Sequence, residues 1–192
     1  MDDLINLKLP KHTEEILEHA TKQGFTASCD SLTGSLLRVL VMNKPNASIL
    51  ELGTGAGYST SWILEGMDQG SRLVSVEFDA ESAAVARDVL GHDKRIEFIV
   101  EDGGKYIEDH LNDKFDIIFA DTWPGKFYLV EETLNMINPH GIYIIDDLNP
   151  QSNWPEGHGD KVQELIEYLE KKTEFHMAKL DWSTGIIIMT RR

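Results

Sequence analysis

The sequence predicts an α/β fold: a doubly wound, mostly parallel sheet of seven strands, helices on both faces, and an antiparallel hairpin at the C-terminal end. Three observations predict it. Short apolar runs alternate with segments of helical periodicity from residue 48 onward, the pattern of repeated strand–helix crossovers. The run Ile49-Leu50-Glu51-Leu52 gives way to glycines at 53, 55 and 57, and then to Tyr58-Ser59-Thr60-Ser61-Trp62-Ile63-Leu64: a strand, a glycine turn and a helix. Ser183-Thr184 is nearly all that separates the last two strand-like runs, too little chain for a crossover, so they pair antiparallel.

Taken in order, a first helix starts at Thr13, read as its cap, followed by Glu14 and Glu15, and Gly24 closes it. A second helix follows Asp30, with Leu32, Leu36, Leu37 and Leu40 at helical spacing, and Lys44-Pro45-Asn46 ends it. After the glycine turn come a strand over 72–77, a helix over 80–90 capped by Asp79, a strand over 95–100, one or two helical turns over 105–111 and a strand over 115–120. A helix over 127–137 is expected to stop at Asn138-Pro139-His140-Gly141, before a strand over 142–145. A helix over 160–172 carries Val162, Leu165, Ile166 and Leu169 on one face, and strands over 175–182 and 185–190 finish the chain. Residues 1–192 read as one domain, with 1–45 a helical segment that caps the substrate side.

Composition narrows the function. At 192 residues, with 41% hydrophobic and 27% charged side chains, the chain has the balance of a globular domain. Its 33 acids against 18 bases give a net charge of -15, which repels phosphate backbones and anionic membranes. The single cysteine, Cys29, rules out an intramolecular disulfide. The opening residues Met1–Asn6 carry neither the basic nor the apolar region of a signal peptide, and no apolar run approaches the roughly 20 residues of a membrane span. The expectation is a cytoplasmic protein whose partner is a small molecule, with neither nucleic acid nor membrane; a homodimer is left open.

Strand, glycine turn, helix is a Rossmann-like ligand site, which aims backbone N–H groups and a helix N-terminus at whatever binds. A dinucleotide fingerprint needs a third glycine where Tyr58 stands, and a phosphate-binding P-loop needs a Gly-Lys-Ser/Thr ending that is missing. Nearly every strand of the expected sheet ends in acid: Glu51, Glu77, Glu101-Asp102, Asp121 and Asp146-Asp147. Helix capping accounts for one or two of these, yet Asp79 is better placed than Glu77 to cap. A carboxylate at the end of the second strand, 24 residues after Gly53, suits the vicinal hydroxyls of a ribose. The third-strand acid, Asp102, suits an exocyclic adenine amine.

These motifs resemble class I S-adenosylmethionine-dependent methyltransferases. The match takes in Glu51-Leu52-Gly53 through Gly57-Tyr58-Ser59, Val76-Glu77, Phe115–Asp121 and Ile145-Asp146-Asp147. Within that class they look like the small O-methyltransferases of the catechol and caffeoyl-coenzyme A type. The resemblance implies S-adenosyl-L-methionine held by Glu51, Gly53, Thr54, Gly55, Gly57, Tyr58, Ser59, Glu77, Phe78, Asp102, Gly103 and Asp121. It also implies Mg²⁺ or another hard divalent cation on Asp121, Asp146 and Asp147. The chain departs from the family pattern in two places. Asp147 stands where the family has Asn, and Pro124 stands where a lysine base is expected, with Lys126 two residues further on.

Between the fifth strand and the last long helix, the loop Asn153–Gly159 offers Trp154 to stack on a flat substrate and His158 as a general base. Trp123-Pro124-Gly125 closely follows Asp121 and is expected to line the same pocket. The expected reaction is methyl transfer from S-adenosylmethionine to an oxygen of a small molecule. A metal would activate that oxygen, or His158, Lys126 or Asp147 would accept its proton. The competing readings are a metal-independent methyltransferase acting on nitrogen or carboxylate, and a protein that binds the cofactor without turnover.

Overall fold

The computed structural model describes residues 3–5, 7–25, 29–152 and 154–192. Seven strands form one sheet: β1 (Ser48–Leu52), β2 (Arg72–Glu77), β3 (Ile96–Val100), β4 (Phe115–Ala120), β5 (Ile137–Ile145), β6 (Phe175–Leu180) and β7 (Ile186–Arg191). Their spatial order is β3-β2-β1-β4-β5-β7-β6. The first five pair in parallel, and β7 runs antiparallel to both β5 and β6. The helices are α1 (Thr13–Lys22), α2 (Ser31–Met42), α3 (Tyr58–Gly66), α4 (Ala80–Leu90), α5 (Gly103–Asp109), α6 (Val130–Asn135) and α7 (His158–Leu169).

Period-two alternation in the strands divides the core into two layers. Ile49, Ile117, Phe119 and Ile144 face one side, where they bury with Ile16 of α1, Leu37 and Val41 of α2 and Trp62 of α3. Leu50, Leu52, Ile118, Ala120, Tyr143 and Ile145 face the other, with Tyr106 and Ile107 of α5, Leu134 of α6 and Leu165 of α7. Both faces are covered, which is why these strands read as unbroken apolar runs. The order reverses between β1 and β4, the switch point where the strand ends splay and leave a crevice.

Several boundaries move. The first helix has His12 at its cap position, and Thr13 is its first helical residue. The helix expected over 127–137 shrinks to α6, because Leu129 adopts a left-handed conformation at φ 56°. The chain before it folds as a tight turn in which Gly125 N–H donates to the Tyr128 carbonyl at 2.8 Å and Phe127 N–H to the Trp123 carbonyl at 2.8 Å. Tyr143 Oη also donates to the Gly125 carbonyl from within the core. The Asn138–Gly141 break is absorbed into β5 as a register shift against β4. The last long helix starts at His158 and ends at Leu169, and the hairpin strands trim to β6 and β7.

Candidate active site

The glycine turn closes over the switch point. Gly53 (φ 100°), Gly55 (φ 52°) and Gly57 (φ 94°) all lie in the left-handed region that L side chains rarely adopt. A Cβ on Gly53 would stand 2.9 Å from the main-chain oxygen of Asp121, so the loops after β1 and β4 touch backbone to backbone. Gly57 caps α3 without a side-chain bond, which leaves the first N–H groups of that helix facing the crevice.

Two adjoining cavities occupy the crevice. One, of about 170 Å³, is walled by Gly53–Ala56, Tyr58, Ser59, Glu77, Asp121 and Thr122, with Phe25 and Cys29 across from them. The other, of about 310 Å³, is walled by Gly53, Val76, Glu77, Phe78, Asp102, Gly103, Thr122, Trp123, Pro124 and Tyr128. Gly53, Glu77 and Thr122 line both, so Glu77 stands at the waist of one elongated cleft. Its Oε2 accepts from Gly55 N–H at 2.7 Å and its Oε1 from Asp79 N–H at 2.9 Å. Phe78 beside it is 75% exposed, an aromatic face turned outward at the cleft.

Asp102 lines the cleft and also caps α5, accepting from Lys105 N–H at 3.0 Å. Asp79 caps α4.

Glu51 is placed differently from its neighbours in the motif. Its side chain points with Ile49 into the α3 layer and is fully buried. Ser59 Oγ and Thr60 Oγ1 donate to it at 2.6 Å, and Ser75 Oγ at 2.5 Å. It lies beneath the loop rather than on the cleft wall, and ties β1, β2 and the start of α3 together. Burial pushes its carboxyl up to about 7, against the pull of the Ser59, Ser75 and Thr60 hydroxyls.

The acids of the β4 and β5 ends surround a lysine. Lys126, turned inward by the tight loop, is 4% exposed, and its Nζ donates to the Asp146 main-chain oxygen at 2.6 Å. Burial pulls the Lys126 ammonium down, while Asp121, Asp147 and Asp146 hold it up. Burial, followed by the charges of Asp146 and Asp147, pushes the Asp121 carboxyl well above the carboxylate range. Burial raises Asp146 to about 6.

The strand ends before Asp147, whose φ is 60°, so the alternation that would send 146 and 147 to opposite faces is broken. Even so, Asp146 Oδ1 is engaged by Asp147 N–H at 2.8 Å and Thr184 Oγ1 at 2.5 Å. Asp147 Oδ1 accepts from Gln151 Nε2 at 2.7 Å. Among the described residues no three His, Cys, Asp or Glu side chains form a group that could hold a metal ion. As arranged around Lys126, Asp121, Asp146 and Asp147 therefore do not form the group of ligands for a divalent cation that the resemblance implies.

Beyond the lysine stands an aromatic cluster. His158, at the start of α7, has ring centroids of Trp154, Phe127 and Trp123 at 4.6, 5.1 and 6.2 Å. It is 8% exposed, and its Nδ1 has no hydrogen-bond partner among the described residues. Burial, then the charges of Lys126 and Lys161, lower its pKa, which favours the neutral ring. A cavity of about 580 Å³ adjoins this cluster, walled by Trp123, Lys126, Phe127, Tyr128, Lys161, Leu165 and Tyr168 among others. Of the 153–159 loop, Asn153 lies outside the described residues, as do Met1, Asp2 and Asn6 of the opening segment.

Trp123 and Pro124 line the cleft as expected, whereas sequence reasoning missed Phe25, Cys29, Ala56, Thr122 and Tyr128 as cleft residues. Ala56 and Thr122 stand beside candidate site residues, and that adjacency is a usable signal. Phe25 and Cys29 carry none, because they belong to no motif and face the glycine turn only in the folded chain.

Comparison with known proteins gives the family and the fold. The family model described as "Methyltransferase domain" matches residues 50–148. The "Transmembrane O-methyltransferase homolog" of Rattus norvegicus is 32% identical over 155 residues, covering 72% of this chain and 58% of that protein. "Catechol O-methyltransferase B" of Danio rerio is 32% identical over 101 residues, 49% of this chain and 38% of that protein. The chain thus spans little more than half the length of the first of these relatives. Among solved structures, an O-methyltransferase from Bacillus cereus in complex with SAH superposes with a TM-score of 0.85 at 21% identity, over 98% of this chain and 94% of that one. At that identity the likeness establishes the fold. Among the described residues no helix is long and apolar enough to cross a membrane.

Proposed function

The chain belongs to the methyltransferase domain family, and from that premise we propose that it transfers a methyl group from S-adenosyl-L-methionine to an oxygen of a small molecule. The observation that carries the proposal is the elongated cleft with Glu77 at its waist. Bound S-adenosylmethionine supplies a methyl carbon made electrophilic by the sulfonium it sits on.

The chain's own residues then do the following. Glu77 accepts hydrogen bonds from the ribose hydroxyls, and Phe78, Asp102 and Gly103 enclose the adenine. Gly53, Thr54, Gly55, Gly57, Tyr58, Ser59 and Asp121 enclose the amino-acid end, where the N-terminus of α3 favours a carboxylate. Glu51 contributes by fixing Ser59 and Thr60 from below. Trp123 and Trp154 would wall the acceptor, and His158 or Asp147 would accept its proton as the O–C bond forms and the sulfur–methyl bond breaks, with S-adenosylhomocysteine as the leaving group. Phe25 and Cys29 on the cleft wall support a capping role for residues 1–45. The reading includes a small-molecule partner and a cytoplasmic location, and routes no step through a metal.

The test is incubation with methyl-labelled S-adenosylmethionine and a pool of phenols, amines and acids. Label recovered on a hydroxyl oxygen is the expected result. Label on nitrogen or carboxylate would replace the acceptor class, and cofactor binding without any transfer would make the protein a binder.

A further inference from the structure

A lysine side chain buried to 4% exposure beside three carboxylates needs a reason, because an ammonium out of water is costly unless its protons are satisfied. Lys126 has one hydrogen bond, to the Asp146 main-chain oxygen, and its Nζ otherwise lies 5.3 Å from the centre of the Phe127 ring. Two of its three N–H protons therefore have no hydrogen-bond acceptor among the described residues. The turn that delivers it is held from the core by Tyr143 Oη on the Gly125 carbonyl. A Cβ on Gly125 (φ 78°) would stand 2.6 Å from Leu52 Cδ1, so the ammonium is held at this point by a tightly packed scaffold.

We infer that the ammonium of Lys126 takes the place of the divalent cation: it compensates Asp121, Asp146 and Asp147, and offers its free N–H protons to the acceptor's oxygen. The carboxylates support this division of labour. Asp146 Oδ1 and Asp147 Oδ1 are engaged within the protein, and the three do not assemble into an ion-holding group. An ammonium is a point charge with directional donors. It orients an oxygen and stabilises negative charge on it, and the proton still leaves to a separate base. The inference rests on the methyl-transfer reading for the identity of the acceptor, but its charge arithmetic does not depend on turnover.

The experiment is a Mn²⁺ titration followed by electron paramagnetic resonance of the free ion, on the full chain with S-adenosylhomocysteine present. The readout is uptake that Asp121→Asn removes. The wild type is expected to show none at millimolar Mn²⁺. Lys126→Met, which leaves the carboxylates uncompensated, is expected to gain it, with affinity raised roughly tenfold or more. Should Lys126→Met fail to fold, Lys126→Gln carries the same arm. A one-to-one, Asp121-dependent site in the wild type overturns the inference, as does a lysine variant that takes up no more ion than the wild type. Binding of S-adenosylhomocysteine, measured on the same samples, reports separately on the methyl-transfer reading.

Discussion

Gly55 N–H donates to Glu77 Oε2 at 2.7 Å, so the turn after β1 is latched to the end of β2. This bond aligns the two walls of the cleft. It also pre-orients the Glu77 carboxylate, which is held from its other side by Asp79 N–H. On the proposed reading, a ribose arriving at the waist would meet an acceptor already fixed in place, with little side-chain entropy lost on binding.

Gly55 sits at φ 52°, a region that a β-branched residue enters only at a cost of about 1–2 kcal/mol. Gly55→Val is expected to keep a cooperative melt while losing measurable affinity for S-adenosylhomocysteine. Wild-type affinity in that variant would show that the turn does not approach the ligand.

Glu51 is a stability residue. Replacing it with Ala takes away the acceptor of the Ser59 and Thr60 hydroxyls in the core, while Ser75 Oγ keeps Thr54 Oγ1 at 2.5 Å, and each unsatisfied group costs about 1–3 kcal/mol. Urea unfolding should show a loss of several kcal/mol, reduced in Glu51→Gln.

The same residue gives a pH dependence. Its folded-state pKa of about 7 lies above the ordinary 4.5, so the folded state binds the proton more tightly than the unfolded chain. The stability it contributes is full below about pH 4.5 and is lost as pH rises through about 7. Between these values the wild type should lose stability relative to Glu51→Gln. A constant difference across that window would contradict the assignment.

How much of this could be read in the sequence follows from how local each signal is. The glycines at 53, 55 and 57 and the Glu77 that follows a buried strand are legible because their backbone demands are local. The burial of Glu51 was also within reach. Period two sets it on the Ile49 face, opposite Leu50 and Leu52. The turn that presents Lys126 was not legible, because Phe127–Ile137 has helical periodicity, and what overrides it is tertiary: Tyr143 from β5 and the left-handed Leu129. Phe25 and Cys29 were equally hidden, since their place on the cleft wall is a tertiary contact that no local pattern signals.

His158 has a lowered pKa and an orphaned Nδ1 among three aromatic rings. His158→Ala is expected to lower kcat by about 10²–10⁴-fold, the usual worth of a general base. In the wild type, kcat/KM should rise with pH through a pKa below the ordinary 6.5 and stay flat above it. Unchanged kcat in the variant would transfer proton acceptance to Asp147.

The most direct measurement is a calorimetric titration of S-adenosylhomocysteine into the wild type and Glu77→Ala. Hydrogen bonds to a charged acceptor are worth about 1.5–3 kcal/mol each. The account predicts one-to-one binding by the wild type, weakened roughly 10–150-fold in Glu77→Ala, with both proteins melting cooperatively. Equal affinity in the two proteins, or no binding by the wild type, would contradict it.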